Sequence, residues 1–131
     1  MSLGIYAVGR KNAEDDELVF YSYAGEDWDA FPTQKGDAKL QDGEIAIMKC
    51  CLEAPEIHRK IKRRKNGRKY ICEKRICRLP DISIHLESST IKILSPCKNE
   101  HHHYYAIHLL EKIFLEWQEK DMLPDIVTYF K

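Results

Sequence analysis

Apolar and polar residues alternate with period two over much of the first two thirds of the chain, and the spacing changes to three and four in the last third. Residues 3–9 read LGIYAVG, with Leu3, Ile5 and Ala7 on one parity and Tyr6 and Val8 on the other, the pattern of a short strand. RKNAEDDE follows as a polar loop. LVFYSYAG is the strongest strand signal in the chain, being β-branched and aromatic and ending at Gly25. These two runs are expected to pair as a hairpin. Residues 26–43 form a polar, turn-rich connection ending in Asp42-Gly43, and EIAIMK is a third strand.

Residues 60–70, KIKRRKNGRKY, hold seven Lys or Arg and no acid. Asn66-Gly67 is the preferred pair for a two-residue type I′ turn, because both central residues take positive φ. That turn pairs Ile57 with Ile76, Ile61 with Cys72 and Arg63 with Tyr70 on a moderately apolar, half-buried side. The other side then carries His58, Lys60, Lys62 and Arg64 against Arg75, Glu73, Ile71 and Lys69. One conflict stands in this register: Arg59 faces Lys74, and like charges directly opposite repel.

Residues 80–89 admit two readings. Ile82, Ile84 and Leu86 alternate as in a strand, while Pro80-Asp81 opens a short helix equally well. TIKIL is a strand. Ala106, Ile107, Leu110, Ile113, Phe114 and Trp117 then recur at helical spacing, one apolar stripe about five turns long. Asn99 is the expected N-cap, and Pro124 prevents continuation. IVTYF is a last short strand. Together these elements predict an α+β fold, an antiparallel sheet with one long C-terminal amphipathic helix packed on one face.

At 131 residues the chain fits a single domain, 1–131, large enough to bury a core without staples. No apolar run reaches the roughly 18 residues that cross a bilayer, and the N-terminus has no signal-peptide pattern, so the expected location is cytoplasmic. Five cysteines, two of them adjacent (Cys50 and Cys51), suit a reducing compartment better than a disulfide framework.

The formal net charge is zero but unevenly spread. Residues 13–31 hold seven acids and no Lys or Arg, whereas residues 56–78 hold eleven basic residues against two acids. A dedicated nucleic-acid binder carries a net positive domain as well as a basic patch. Nucleic acid is therefore the alternative reading, through Lys60, Lys62, Arg64, Lys69 and Arg75. The plainer reading of that stretch is a solvated strand face, its charge offset by acids elsewhere in the fold.

No phosphate-binding Gly loop, nucleophile elbow or metalloprotease motif occurs. Cys72, Cys77, Cys97, His101, His102 and His103 are zinc-ligand types, but they lack a closed four-ligand pattern, so neither metal nor cofactor is expected. Nothing orients a Cys toward His58, His85 or His108 as a catalytic base, and the chain is read as non-enzymatic. The candidate binding site is instead YAGEDWDAFP. Trp28 and Phe31 sit there among Glu26, Asp27 and Asp29, an aromatic anchor in an acidic setting that would suit a basic protein partner.

The stretch DGEIAI, the tail helix AIHLLEKIFLEWQEKDMLPD and the acidic loop resemble, in overall layout, the small immunity proteins of bacterial polymorphic and contact-dependent toxin systems. That resemblance implies a single α+β domain without catalytic motif, which binds the toxic domain of a cognate toxin and occludes its active surface. It carries over no individual residue.

Overall fold

The computed structural model describes residues 4–28, 35–100 and 102–131. Strands β1 (Ile5–Glu14), β2 (Leu18–Asp27), β3 (Gly43–Met48), β4 (Glu56–Arg63) and β5 (Lys69–Ile76) precede the short helix α1 (Ile82–Glu87). Strand β6 (Ile91–Ser95), helix α2 (Tyr104–Lys120) and strand β7 (Ile126–Phe130) complete the chain. Five strands form an antiparallel sheet in the order β6-β3-β2-β1-β7, and β4 and β5 form a separate two-stranded ribbon. The fold is α+β, with α2 packed across one face of the five-stranded sheet.

The period-two runs explain the sheet. Val19, Tyr21 and Tyr23 of β2 and Ile45 and Ile47 of β3 point to the same side and are buried under Leu109, Leu110, Ile113 and Phe114 of α2. The helix approaches β2 closely at Gly25, where a Cβ would overlap the Tyr105 ring. The buried face of α2 runs through Tyr105, Ala106, Leu109, Leu110, Ile113, Phe114 and Gln118, while Ile107 and Trp117 flank it half-buried.

Two expectations are corrected and one open reading is decided. The polar stretch after residue 9 is not a loop: β1 continues to Glu14, with an irregularity between Lys11 and Ala13. Its polar side chains are satisfied at the surface, where Lys11 and Lys49 both pair with Glu14, at 2.9 and 2.6 Å. The reversal is made only at Asp15, whose Oδ1 accepts from the backbone N–H groups of Glu17 and Leu18. Secondly, Asn99 does not cap α2. It is buried and donates from Nδ2 to the Gly25 carbonyl at 2.9 Å, tying the loop before the helix to β2. The helix opens at Tyr104 after His102 and His103 in left-handed conformation, and Glu100 Oε1 accepts from Ala106 N–H. Burial raises the pKa of this Glu100 carboxyl. Thirdly, the ambiguous residues 80–89 hold the helix α1, whose N-cap Asp81 accepts from Ile84 N–H.

Candidate functional site

The acidic stretch of residues 13–31 does not make one surface. Strand β2 separates Glu14, Asp15, Asp16 and Glu17 at one end from Glu26 and Asp27 at the other. Ten residues of strand place those ends about 30 Å apart. Alternation along β2 places Glu26 on the face away from α2, and the 3-10 turn Asp37–Leu40 closes over it there. Only 3% of Glu26 is exposed. Its Oε2 accepts from Gly36 N–H at 2.7 Å and Ala38 N–H at 3.0 Å, and its Oε1 accepts from the Trp28 indole N–H. Glu26 therefore holds the chain that follows β2 and is not a contact residue for a partner. Asp27 and Trp28 are half-buried beside it, and Asp29 and Phe31 lie outside the described residues. The sequence reading missed Glu26's role because a strand-end Glu and a loop Glu look alike until the covering turn is in place.

The basic stretch is a hairpin, but in a different register and a different environment. Its loop has three residues, not two. Gly67 N–H donates to the Arg64 carbonyl and Arg64 N–H donates to the Arg68 carbonyl, both at 2.9 Å, with Gly67 at φ +84°. This is a turn closed by a left-handed Gly bulge, the usual solution for a three-residue loop. Asn66 Oδ1 supports it by accepting from Arg68 N–H. The extra loop residue slips β5 by one position, which turns over every side chain of β5 relative to β4. Arg59 now faces Glu73 and pairs with it at 3.4 Å, which removes the expected conflict with Lys74.

In this register His58, Lys60, Lys62, Tyr70, Cys72, Lys74 and Ile76 share one face, and all but Tyr70 line a concavity of about 280 Å³. The opposite face carries Ile57, Ile61 and Ile71, together with the Arg59–Glu73 pair and Arg63 opposite Lys69. The alternative nucleic-acid set is thereby split. Lys60 and Lys62 stand on one face, with Arg64 over the Tyr70 ring at 5.2 Å, while Lys69 and Arg75 belong to the other.

Of the side expected to be half-buried, only Cys72 and Ile76 are partly covered. Every residue of β4 is exposed, and Ile61 and Ile71, directly opposite each other, are 72% and 69% exposed. The ribbon is an arm about 25 Å long, fixed at its root. There Arg75 donates to the carbonyls of Gln118 and Glu119 and to Asp121, at 2.8–2.9 Å. A cation at these terminal carbonyls also meets the negative end of the α2 dipole. Gln118, buried at the same point, donates to the Arg78 carbonyl and accepts from Arg78 N–H. Arg78 in turn pairs with Glu56 at 2.8 Å.

Among the described residues, acids outside the arm pair with just one of its Lys and Arg side chains, Arg75 with Asp121. Residues 56–76 hold ten Lys or Arg against two Glu, a local net charge of +8 that the rest of the neutral chain balances only at a distance. Arg59 and Arg75 are paired. Lys60, Lys62, Arg63, Arg64, Lys65, Arg68, Lys69 and Lys74 form no ion pair with any described residue.

The cysteines are dispersed. Cys72 lies on the arm, Cys51 and Cys97 are buried in the body and Cys50 is exposed. Among the described residues no three His, Cys, Asp or Glu side chains converge as a metal site, and His101 lies outside them. Burial pushes the Cys51 thiol up to about 11 and the Cys97 thiol up to about 12. The thiolate is the reactive form. In the folded protein at mildly alkaline pH, iodoacetamide is therefore expected to label Cys50 readily and Cys51 and Cys97 only after denaturation. Mass mapping of the labelled peptides checks this, and equal labelling of Cys97 before denaturation contradicts the packing.

Fold and site together define an α+β domain with a projecting basic arm. No protein-family model, curated protein or solved structure matches the chain. Among the described residues no helix is long and apolar enough to cross a membrane.

Proposed function

We propose that this chain is a non-catalytic protein-binding domain of the immunity-protein kind, which places the β4–β5 arm against an acidic surface of its partner and so covers that surface. The observation that supports this reading is the arm itself. It stands off the body with eight cations that form no ion pair among the described residues and with Ile61 and Ile71 uncovered. Exposed apolar pairs rimmed by charge are the composition of an interface. The unpaired cations would steer an acidic partner into place.

Phosphate backbones offer a second reading, favoured by the shared face of Lys60, Lys62 and Lys74, since a two-stranded ribbon fits a major groove. The acidic body works against it, and affinity for nucleic acid at physiological salt is expected to stay in the weak non-specific range of about 10⁻⁴ to 10⁻⁶ M.

The test replaces residues 57–75 by a short Asn-Gly turn joining Glu56 to Ile76, which already face each other. The five-stranded sheet contains neither β4 nor β5, so the body is expected to keep its fold. Binding is measured to the cognate toxin domain once the gene's neighbourhood identifies one. Loss of the arm is expected to weaken it at least about hundredfold, near 3 kcal/mol. An armless variant that binds like the parent overturns the proposal. If Trp28→Ala then abolishes binding, the interface is the Asp27–Trp28 end of β2.

A further inference from the structure

The arm has a regularity that general charge attraction does not use. Its two faces differ in kind, and they alternate residue by residue along β4. His58, Lys60 and Lys62 point to one face, and Ile57 and Ile61 point to the other, where Arg59, paired with Glu73, and Arg63 alternate with them. Strand β4 pairs only with β5, and its outer edge makes no backbone hydrogen bond to a described residue. Its neighbour β5 is anchored at the root, where the Arg75 side chain binds the end of α2.

We infer that the free edge of β4 is a strand-addition site for an extended segment of a partner protein in which acidic and apolar residues alternate. This deepens the proposed function and rests on it. A third strand laid antiparallel or parallel on β4 sends its own side chains alternately to the two faces of the ribbon. In one register its apolar residues land beside Ile57 and Ile61 and its acids land beside His58, Lys60 and Lys62. Slipping by one residue sets acids against Ile57 and Ile61 and leaves Lys60 and Lys62 unpaired, gaining only Arg63, since Arg59 already has Glu73, so the side-chain pattern favours the first register. Main-chain bonds along the edge supply affinity that is independent of sequence.

The charge decides what the occupant is. Lys and Arg on an edge strand block pairing with a like edge. Two arms of this chain, each at +8, would repel, so a second copy does not fit. An acidic strand in that register relieves Lys60, Lys62 and, across the ribbon on the same face, Lys74. Nucleic acid would neutralise the cations equally well but has no use for the Ile61–Ile71 pair or the backbone edge.

The experiment measures binding of the intact chain to a fluorescent peptide of alternating Glu and Val. Its controls are a peptide of the same composition with all Glu preceding all Val, the alternating peptide N-methylated on alternate backbone nitrogens, and duplex DNA. The alternating peptide is expected to bind at least about tenfold more tightly than the block peptide, and N-methylation on the paired side is expected to remove that advantage. Ile61→Ser with Ile71→Ser, and separately Lys60→Glu with Lys62→Glu, are each expected to weaken it about tenfold or more. Neither pair packs on the core, so both variants are expected to melt with the parent. If the two peptides bind alike, or if the alternating peptide does not bind, strand addition is wrong. In the first case an acidic partner still stands. If duplex DNA binds more tightly than either peptide and the isoleucine substitutions change nothing, both this inference and the protein-binding reading fall.

Discussion

Truncating Leu110 or Phe114 to Ala is expected to destabilise the protein by roughly 2–5 kcal/mol. Both side chains are buried, at 0% and 1% exposure, and they lie one turn apart on α2 over the middle of the sheet. Leu110 and Phe114 pack in one cluster with Val19, Tyr21, Ile45 and Ile47, and His85 of α1 lies against the Phe114 ring at 5.7 Å. Removing either leaves a cavity that a five-stranded sheet and a four- to five-turn helix cannot collapse around. Total stability for a domain of this size is of order 5–15 kcal/mol, so either substitution removes a large share of it. Chemical denaturation with an unchanged slope and a much lower midpoint is the expected result. If both variants unfolded like the parent, α2 would not cover the sheet and the fold would be wrong.

Glu26→Ala is expected to produce the other large loss of stability, by a different mechanism. The carboxylate receives Gly36 N–H, Ala38 N–H and the Trp28 indole N–H in a nearly closed site. Removing it leaves these donors without their acceptor, at about 1–3 kcal/mol for each that water cannot reach. Glu26→Gln keeps an acceptor oxygen and is expected to fall between parent and Ala. A Glu26→Ala variant that melted with the parent would show that the site is open to water. Had Glu26 been an exposed contact for a basic partner, the substitution would change binding with little effect on stability. Thermal melts and Trp28 fluorescence, read on the same samples, separate the two outcomes.

The helix and most strands could be read from the chain because local pattern and tertiary burial agree in them. The stripe through Leu110, Ile113 and Phe114 has helical spacing, and it is the stripe that the sheet covers. Val19, Tyr21 and Tyr23 alternate because one face of β2 meets α2. The C-terminal strand was legible as five β-forming residues after Pro124, although its place at the sheet edge beside β1 was not.

The candidate site was legible only in its charge. KIKRRKNGRKY announced a basic hairpin, and Asn66-Gly67 marked its turn, but the two-residue and three-residue loops share those letters. The choice between them moved Arg59 from Lys74 to Glu73 and rearranged both faces of the arm. Whether an apolar strand face is buried depends on what lies opposite it, which no pattern within the hairpin contains. Ile61 was expected on a half-buried side and Ile71 on the basic one; both are uncovered, side by side, because the five-stranded sheet closes without the ribbon.

Glu26 shows the converse. Its neighbours Asp27 and Trp28 made it look like part of an acidic surface, and a turn ten residues further along turns it into a buried acceptor. The sequence by itself determined which segments become strands and helix, since each needs only its own periodicity to hide apolar surface from water. Tertiary structure decided register, exposure and the use of each charge. Those depend on partners distant along the chain, whose energies of 1–3 kcal/mol per contact arise only once the elements have met.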